Sequence, residues 1–244
     1  MGRVSWLLWA IFIIAVPLFL ITASVTWAFN SPGLYDDGFE KYSISRISGI
    51  TDSDLRQVGA DIRSYINSAG YEPLDVRTSI LGTERDLFNA REVSHMKDVK
   101  QLVRGVYVLA LASALYLAAM VVIGFAWYRG RFVADLAKRL AWGGGLTLVL
   151  LIVFGLVALV GFDSVFLKFH QLSFANDFWR LDPRTDYLVR IFPQDFWFDA
   201  TLWVAVRAIS GALVLTVAGS GFLVYRKYSG WQRAMDGLDS VHES

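Results

Sequence analysis

His95 and His170 are the two side chains of this sequence best suited to moving protons near neutral pH, where an imidazole titrates at about 6.5. The 244-residue chain has three His and no Cys, and the third imidazole, His242, lies in a polar tail. His95 belongs to Asn89-Ala-Arg-Glu-Val-Ser-His-Met-Lys-Asp-Val-Lys-Gln-Leu102. On a helix Glu92, His95 and Asp98 follow one another at intervals of three and share a face. Either carboxylate is then placed to accept from one ring nitrogen, leaving the other nitrogen free as a base. His170 stands in Phe166-Leu-Lys-Phe-His-Gln-Leu-Ser-Phe174, a strongly aromatic setting. Two imidazoles at one level of a membrane protein suit base and acid roles in a single reaction.

Other chemistries find no support in the same letters. Without Cys there are no disulfides, thiolate nucleophiles or zinc–cysteine sites. His95, His170 and a carboxylate would supply a minimal ligand set, but no His-Glu-x-x-His spacing occurs, so no metal is expected. Ser94 is not in a Gly-x-Ser-x-Gly elbow. No Walker loop and no Gly-x-Gly-x-x-Gly are present to bind a nucleotide cofactor. No basic stripe offers a nucleic-acid surface.

The elements that must position these residues are set by hydropathy. The chain is 55% hydrophobic with mean hydropathy +0.44. Four apolar stretches run from Trp6 to Phe29, about Val106 to Tyr128, about Leu140 to Phe162 and about Thr201 to Tyr225. Crossing a hydrocarbon core of about 30 Å takes roughly 20 apolar residues, so an all-α membrane protein with four transmembrane helices is predicted. The first stretch is too long for a signal peptide and is read as retained. Arg129, Arg131, Lys138 and Arg139 lie between the second and third stretches, and Arg226, Lys227 and Arg233 follow the fourth. The positive-inside rule makes these cytoplasmic, with both termini inside, consistent with Arg3. The chain then divides into a first span (1–29), an outward segment (30–101), and spans two and three with a basic cytoplasmic loop (102–162). A second outward segment (163–199), a fourth span (200–228) and a cytoplasmic tail (229–244) follow.

The first outward segment predicts a helix capped by Thr51 or Asp52, with Leu55, Val58, Ile62, Tyr65 and Ile66 on one face. Tyr42 to Ile50 reads as a short strand. A further helix is expected to begin near Thr83 or Asn89 and to run through His95 into the second span. With few large apolar residues of its own, this segment is expected to rest as a cap on the bundle and on the second outward segment. That second segment interleaves Phe162, Phe166, Phe169, Phe174, Phe178, Trp179, Phe192, Phe196, Trp197 and Phe198 with Asp and Arg residues. An interfacial aromatic belt is the plain reading. Such density of Phe also suits a site that holds acyl chains and excludes water.

The run Arg91-Glu-Val-Ser-His-Met-Lys-Asp-Val-Lys100 resembles the block preceding the second span in the lipoprotein intramolecular transacylase family of bacterial membrane proteins. Phe169-His-Gln-Leu-Ser-Phe-Ala-Asn-Asp-Phe-Trp-Arg-Leu-Asp-Pro-Arg-Thr-Asp186, continuing to Phe192-Pro193 and Phe196-Trp197, is similar to that family's other signature. The resemblance implies a four-helix bundle with an extracytoplasmic cap, an active site outside the bacterial cytoplasmic membrane, and His95 and His170 as catalytic residues. It also implies the reaction: the sn-2 acyl chain of a diacylglyceryl-modified lipoprotein moves to the α-amine of the same N-terminal cysteine. Arg91, Asn176, Trp179 or a protonated imidazole is then a candidate for the ester oxyanion. Glu92, Asp98, Phe169, Phe174, Phe196 and Trp197 complete the expected supporting set. Diacylglyceryl lipoproteins and membrane lipids are the expected partners of a monomer. The alternatives are a membrane-anchored sensor or binding module without catalysis, and a metal-dependent membrane hydrolase.

Overall fold

The computed structural model describes the backbone of residues 3–128, 130 and 132–242, and side chains outside 1–5, 128–129, 131 and 230–244. Arg3, Arg129, Arg131, Arg233 and His242, which enter the charge pattern and the histidine census, lie outside the described side chains. In chain order the elements are α1 (Arg3–Asn30), α2 (Pro32–Lys41), α3 (Ile44–Ser48), α4 (Asp52–Asn67), β1 (Arg77–Ile80), β2 (Thr83–Asp86), α5 (Ala90–Tyr128), α6 (Phe132–Ser173), α7 (Tyr187–Ile191) and α8 (Gln194–His242). The helices α1, α5, α6 and α8 carry the four apolar stretches and are long and apolar enough to cross a membrane. Two of them, α5 and α6, carry His95 and His170 beyond those stretches. The opening turns of α5 hold Arg91, Glu92, Lys97, Asp98, Lys100 and Arg104 ahead of the apolar run. The end of α6 holds Asp163, Lys168 and His170 beyond its apolar run, past an interruption of helical geometry at Gly161 (φ −166°, ψ 66°).

By contacts the residues form two compact units. The first comprises 1–21, 110–153 and 207–244. Trp9, Phe12, Val16 and Phe132 form its buried cluster, with Trp9 stacked on Phe132 at 5.7 Å. Helices approach closely at Gly144, where an added Cβ would lie 2.4 Å from Thr216 Oγ1 and 2.7 Å from the Ala212 carbonyl. Small residues permit such contacts where no water-driven force joins the helices.

The second unit comprises 22–109 and 154–206 and holds the larger core. Thr51 caps α4 by accepting from the Asp54 N–H at 3.2 Å. Leu55, Val58, Ile62, Tyr65 and Ile66 are all buried, as their helical spacing requires. They share one cluster with Leu34, Tyr35 and Phe39 of α2 and with Leu188, Ile191, Phe192 and Phe196 from the second aromatic segment. Lys41 and Tyr42 both bond the Asp199 carboxylate, at 2.5 and 2.7 Å.

Two local expectations change here, and one of two alternatives is selected. The stretch read as a strand between Tyr42 and Ile50 is the short helix α3. Ile44, Ile47 and Ile50 recur every third residue, an interval that suits a helical turn better than a pleat. Thr83 opens a strand, not a helix. It lies in a hairpin with Arg77 opposite Asp86 and Ile80 opposite Thr83. Leu81 and Gly82 turn that hairpin with φ of 51° and 83°, the positive pair a tight two-residue turn needs. The helix carrying His95 starts instead at Ala90, directly after the other expected boundary, Asn89.

Candidate active site

The placement of His95 begins one turn earlier. Asn89 Oδ1 accepts from the N–H groups of Arg91 (2.9 Å) and Glu92 (3.1 Å), and Glu92 Oε2 accepts from the Asn89 N–H at 2.8 Å. This reciprocal capping box satisfies donors that a helix start otherwise leaves orphaned. The same residues reach across to the 177–188 segment. Glu92 Oε1 accepts from Leu188 N at 2.6 Å, Asn89 Nδ2 donates to Asp186 Oδ1 at 2.9 Å, and Arg91 Nη2 donates to the Asp177 carbonyl at 2.9 Å. The other Asp186 oxygen accepts from Asp182 N at 2.7 Å. The first turn of α5 is therefore pinned, in phase and height, to the loop that carries Trp179.

Glu92 is only 1% exposed. Burial pushes its carboxyl pKa up, and the N–H groups of Leu188 and Asn89 pull against that shift. Both oxygens are committed to backbone donors, so Glu92 braces the helix start and does not hold the His95 ring.

His170 is held by its own helix. A carbonyl only accepts, so the 2.8 Å contact between His170 Nδ1 and the Phe166 carbonyl puts the proton on Nδ1. The lone pair is thereby left on Nε2. The ring is caged by Phe166 (4.4 Å between centroids), Trp179 (5.2 Å), Phe169 (5.4 Å) and Phe174 (5.6 Å). The His95 ring lies 6.0 Å from that of His170 and meets Phe174 edge to face at 5.0 Å. Both imidazoles are buried, and His95 Nδ1 has no hydrogen-bond partner.

Asp98 is one turn beyond His95, but its Oδ2 accepts from Asn176 Nδ2 at 2.8 Å. Asn176 Oδ1 in turn accepts from Phe178 N at 3.0 Å. Asp98 thus acts on His95 as a charge through space.

Both imidazoles lie outside the apolar stretches, and their surroundings disfavour the charged ring. Burial lowers the His95 pKa to about 4, the neighbouring His170 pushes the same way, and Asp98 opposes. Burial also lowers His170, while its bond to the Phe166 carbonyl resists. A lowered imidazole pKa favours the neutral, proton-accepting form at pH 7.

The structure gathers His95, His170, Phe169, Phe174 and Trp179, with Asp98 and Asn176 alongside. Arg91 and Glu92 are braces at the start of α5. Phe196 and Trp197 are not in this cluster: their ring contacts are with Phe29, Tyr35, Phe192 and each other. Three contributors lie outside the expected site set. Phe166 supplies a carbonyl and a ring, and its position four residues before His170 was the available signal. Asn89, followed three residues later by Glu92, carried a capping signature. Asp186 carried no local signal of its hold on α5, because Asn89 is distant in sequence. An open cleft of about 390 Å³ lined by Asp54, Gln57, Arg77 and Glu84 among others holds no histidine. Among the described residues no three His, Asp or Glu side chains are grouped so as to hold a metal ion.

Replacing Glu92 by Ala strands the Asn89 and Leu188 N–H groups and is expected to cost roughly 2–4 kcal/mol of stability. Glu92→Gln, which keeps one acceptor, is expected to cost less. Thermal unfolding in detergent checks this, and an unshifted transition for Glu92→Ala would refute the bracing role.

The family model described as lipoprotein intramolecular transacylase Lit matches residues 10–197, both histidine blocks included. A protein of Aquifex aeolicus (strain VF5) is 28% identical over 172 residues, 69% of this chain and 74% of its own length. The in meso structure of the membrane integral lipoprotein intramolecular transacylase Lit from Bacillus cereus superposes with a TM-score of 0.78 at 17% identity, covering 94% of this chain and 100% of that one. A structure of the same Bacillus cereus protein with a histidine-to-arginine mutation gives a TM-score of 0.73 at 16% identity, covering 94% and 96%. These structures share the fold of a membrane-integral protein with four apolar helices. The match over the greater part of the sequence shows that the chain belongs to the lipoprotein intramolecular transacylase family, whose members are acyltransferases.

Proposed function

We propose that this transacylase moves the sn-2 acyl chain of a diacylglyceryl-modified lipoprotein onto the α-amine of the same N-terminal cysteine, with His95 and His170 as its catalytic residues. The observation that carries the reading is the pair of buried imidazoles 6.0 Å apart, with His170 Nδ1 held by the Phe166 carbonyl and His95 Nδ1 unpartnered. Donor and acceptor belong to one substrate molecule, so neither a protein nucleophile nor a cofactor is called for.

The amine attacks the ester carbonyl carbon, forming the C–N bond. His170 Nε2, its lone pair exposed by the Nδ1–H bond to Phe166, takes the proton of the resulting ammonium. The same proton then passes to the sn-2 oxygen as the C–O bond breaks, leaving an amide and a free hydroxyl. His95, as a neutral N–H donor across the gap, stabilises the oxyanion of the tetrahedral intermediate. Of the other candidates for that role, Asn176 and Arg91 each spend a donor on Asp98 and Asp177. Holding the two ends of one substrate in near-attack geometry is worth roughly 7–11 kcal/mol. The Phe169–Phe174–Trp179 cage is suited to that task and to excluding water.

In this reading the protein lies in the bacterial cytoplasmic membrane as a monomer. The core built on α2–α4, the hairpin and α7 forms a cap outside the membrane, from residues 30–101 and 163–199. Both termini are cytoplasmic, and lipoproteins and membrane lipids are the partners.

Ala in place of His95 or His170 is expected to lower conversion of a diacylglyceryl lipopeptide by at least about 10²-fold, read by mass spectrometry of the lyso product. Full turnover in either variant would remove the mechanism. The pH profile gives a second measurement. With both imidazole pKa values depressed, kcat/KM should rise through the substrate amine's pKa, about 7.7–8.0, as the nucleophile loses its proton. A dominant break near 6.5 would contradict this. Topology is testable because the chain lacks Cys. A membrane-impermeant maleimide applied to intact spheroplasts should label Tyr71→Cys and leave Lys227→Cys unlabelled until the membrane is opened. The reverse pattern would invert the proposed orientation.

A further inference from the structure

The cage around His170 continues as a file of rings down α6. Phe166 meets the imidazole at 4.4 Å, Phe162 meets Phe166 at 5.9 Å, and Phe198 of α8 closes on Phe162 edge to face at 5.1 Å. Phe162, Phe166 and His170 are four residues apart, so they stack along one side of the helix. From His170 to Phe162 the file covers about 12 Å at a rise of about 1.5 Å per residue. Phe162 and Phe166 are only half-buried, so their faces remain open to an apolar partner. At the foot of the file the helix is interrupted at Gly161, where an added Cβ would meet nothing nearer than Ser164 Oγ at 3.9 Å. The file therefore runs from the imidazole to the point where α6 re-enters its apolar stretch.

We propose that Phe162, Phe166 and Phe198 form a track for the migrating acyl chain, and that the track sets which chain lengths are transferred. The inference rests on the acyl-transfer reading above. It commits to one occupant, a saturated acyl chain, because the track is continuous with the ring that faces the ester and ends at the hydrocarbon-crossing stretch. The ester carbonyl sits between the imidazoles, and the first methylenes lie along Phe166. Later methylenes reach Phe162 and Phe198, and the remainder leaves the track at Gly161. A chain too short to reach Phe162 gains nothing from it. Each methylene that gains cover is worth about 0.8 kcal/mol, or roughly four-fold in kcat/KM.

The test is internal competition in one preparation of mixed micelles between lipopeptides that differ only at the sn-2 position, hexanoyl against hexadecanoyl. The wild-type protein is expected to favour the long chain. In Phe162→Ala the ratio of kcat/KM for long over short should fall by about ten-fold or more, the loss expected for removing most of a buried aromatic contact. Phe198→Ala reads the same contact from the other helix, should one variant fail to fold. A ratio equal to wild type in both variants, whether or not the absolute rates fall, overturns the track. No amide product from wild-type protein with any chain would instead overturn the acyl-transfer reading, so the two failures are distinguishable.

Discussion

The carboxyl of Glu92, buried between two backbone N–H donors, is the constraint on which the site depends. A carboxylate out of water is tolerated only when its lone pairs are met by donors. Here they are met by the N–H groups of Asn89 and Leu188, one at the start of α5 and one at the start of α7. Sliding or rotating α5 by a single residue would break the bond to Leu188 and orphan its N–H, while the Asn89 bond, local to the helix start, would move with the helix. The cost fixes the rotational phase of α5, and His95 is one turn away on the same face. Asn89 and Arg91 add bonds to Asp186 and Asp177, so the pinned turn also draws in the loop bearing Asn176 and Trp179.

The electrostatics of the pair follow from that confinement. Burial leaves either imidazole little solvent to stabilise a cation, and a charge on His170, 6.0 Å away, would oppose a second charge on His95. What remains is a pair of neutral rings that differ in their hydrogen bonding. His170 has its tautomer fixed by a backbone carbonyl, while His95 Nδ1 is unpartnered. That asymmetry underlies the proposed division of labour, in which one ring moves a proton and the other lends a hydrogen bond.

The same surroundings bear on the substrate. The proposed intramolecular transfer needs no second binding site, only that two ends of one substrate be folded together where water cannot compete. Aromatic side chains suit this because they present large apolar area on few rotatable bonds. The core of α2–α4 against Phe192 and Phe196 supplies the rigid support. Phe196 and Trp197 serve that support, away from the imidazoles, even though they belong to the same sequence block as His170.

Much of this was legible in the order of residues. Four apolar stretches, the amphipathic α4 with Thr51 at its cap, and the scarcity of His all follow from periodicity, composition and local capping, which neighbours in sequence decide. The short helix at Ile44–Ser48 and the Leu81-Gly82 hairpin were not legible. Their sequences allow more than one backbone, and contacts such as the Leu81 N–H on the Gly49 carbonyl select among them. The partners of each ionisable group were likewise beyond reach. Helical spacing puts Glu92 and Asp98 equally close to His95. Only the folded chain brings Leu188 to one and Asn176 to the other, because a carboxylate goes to whichever donor tertiary packing strips of water beside it.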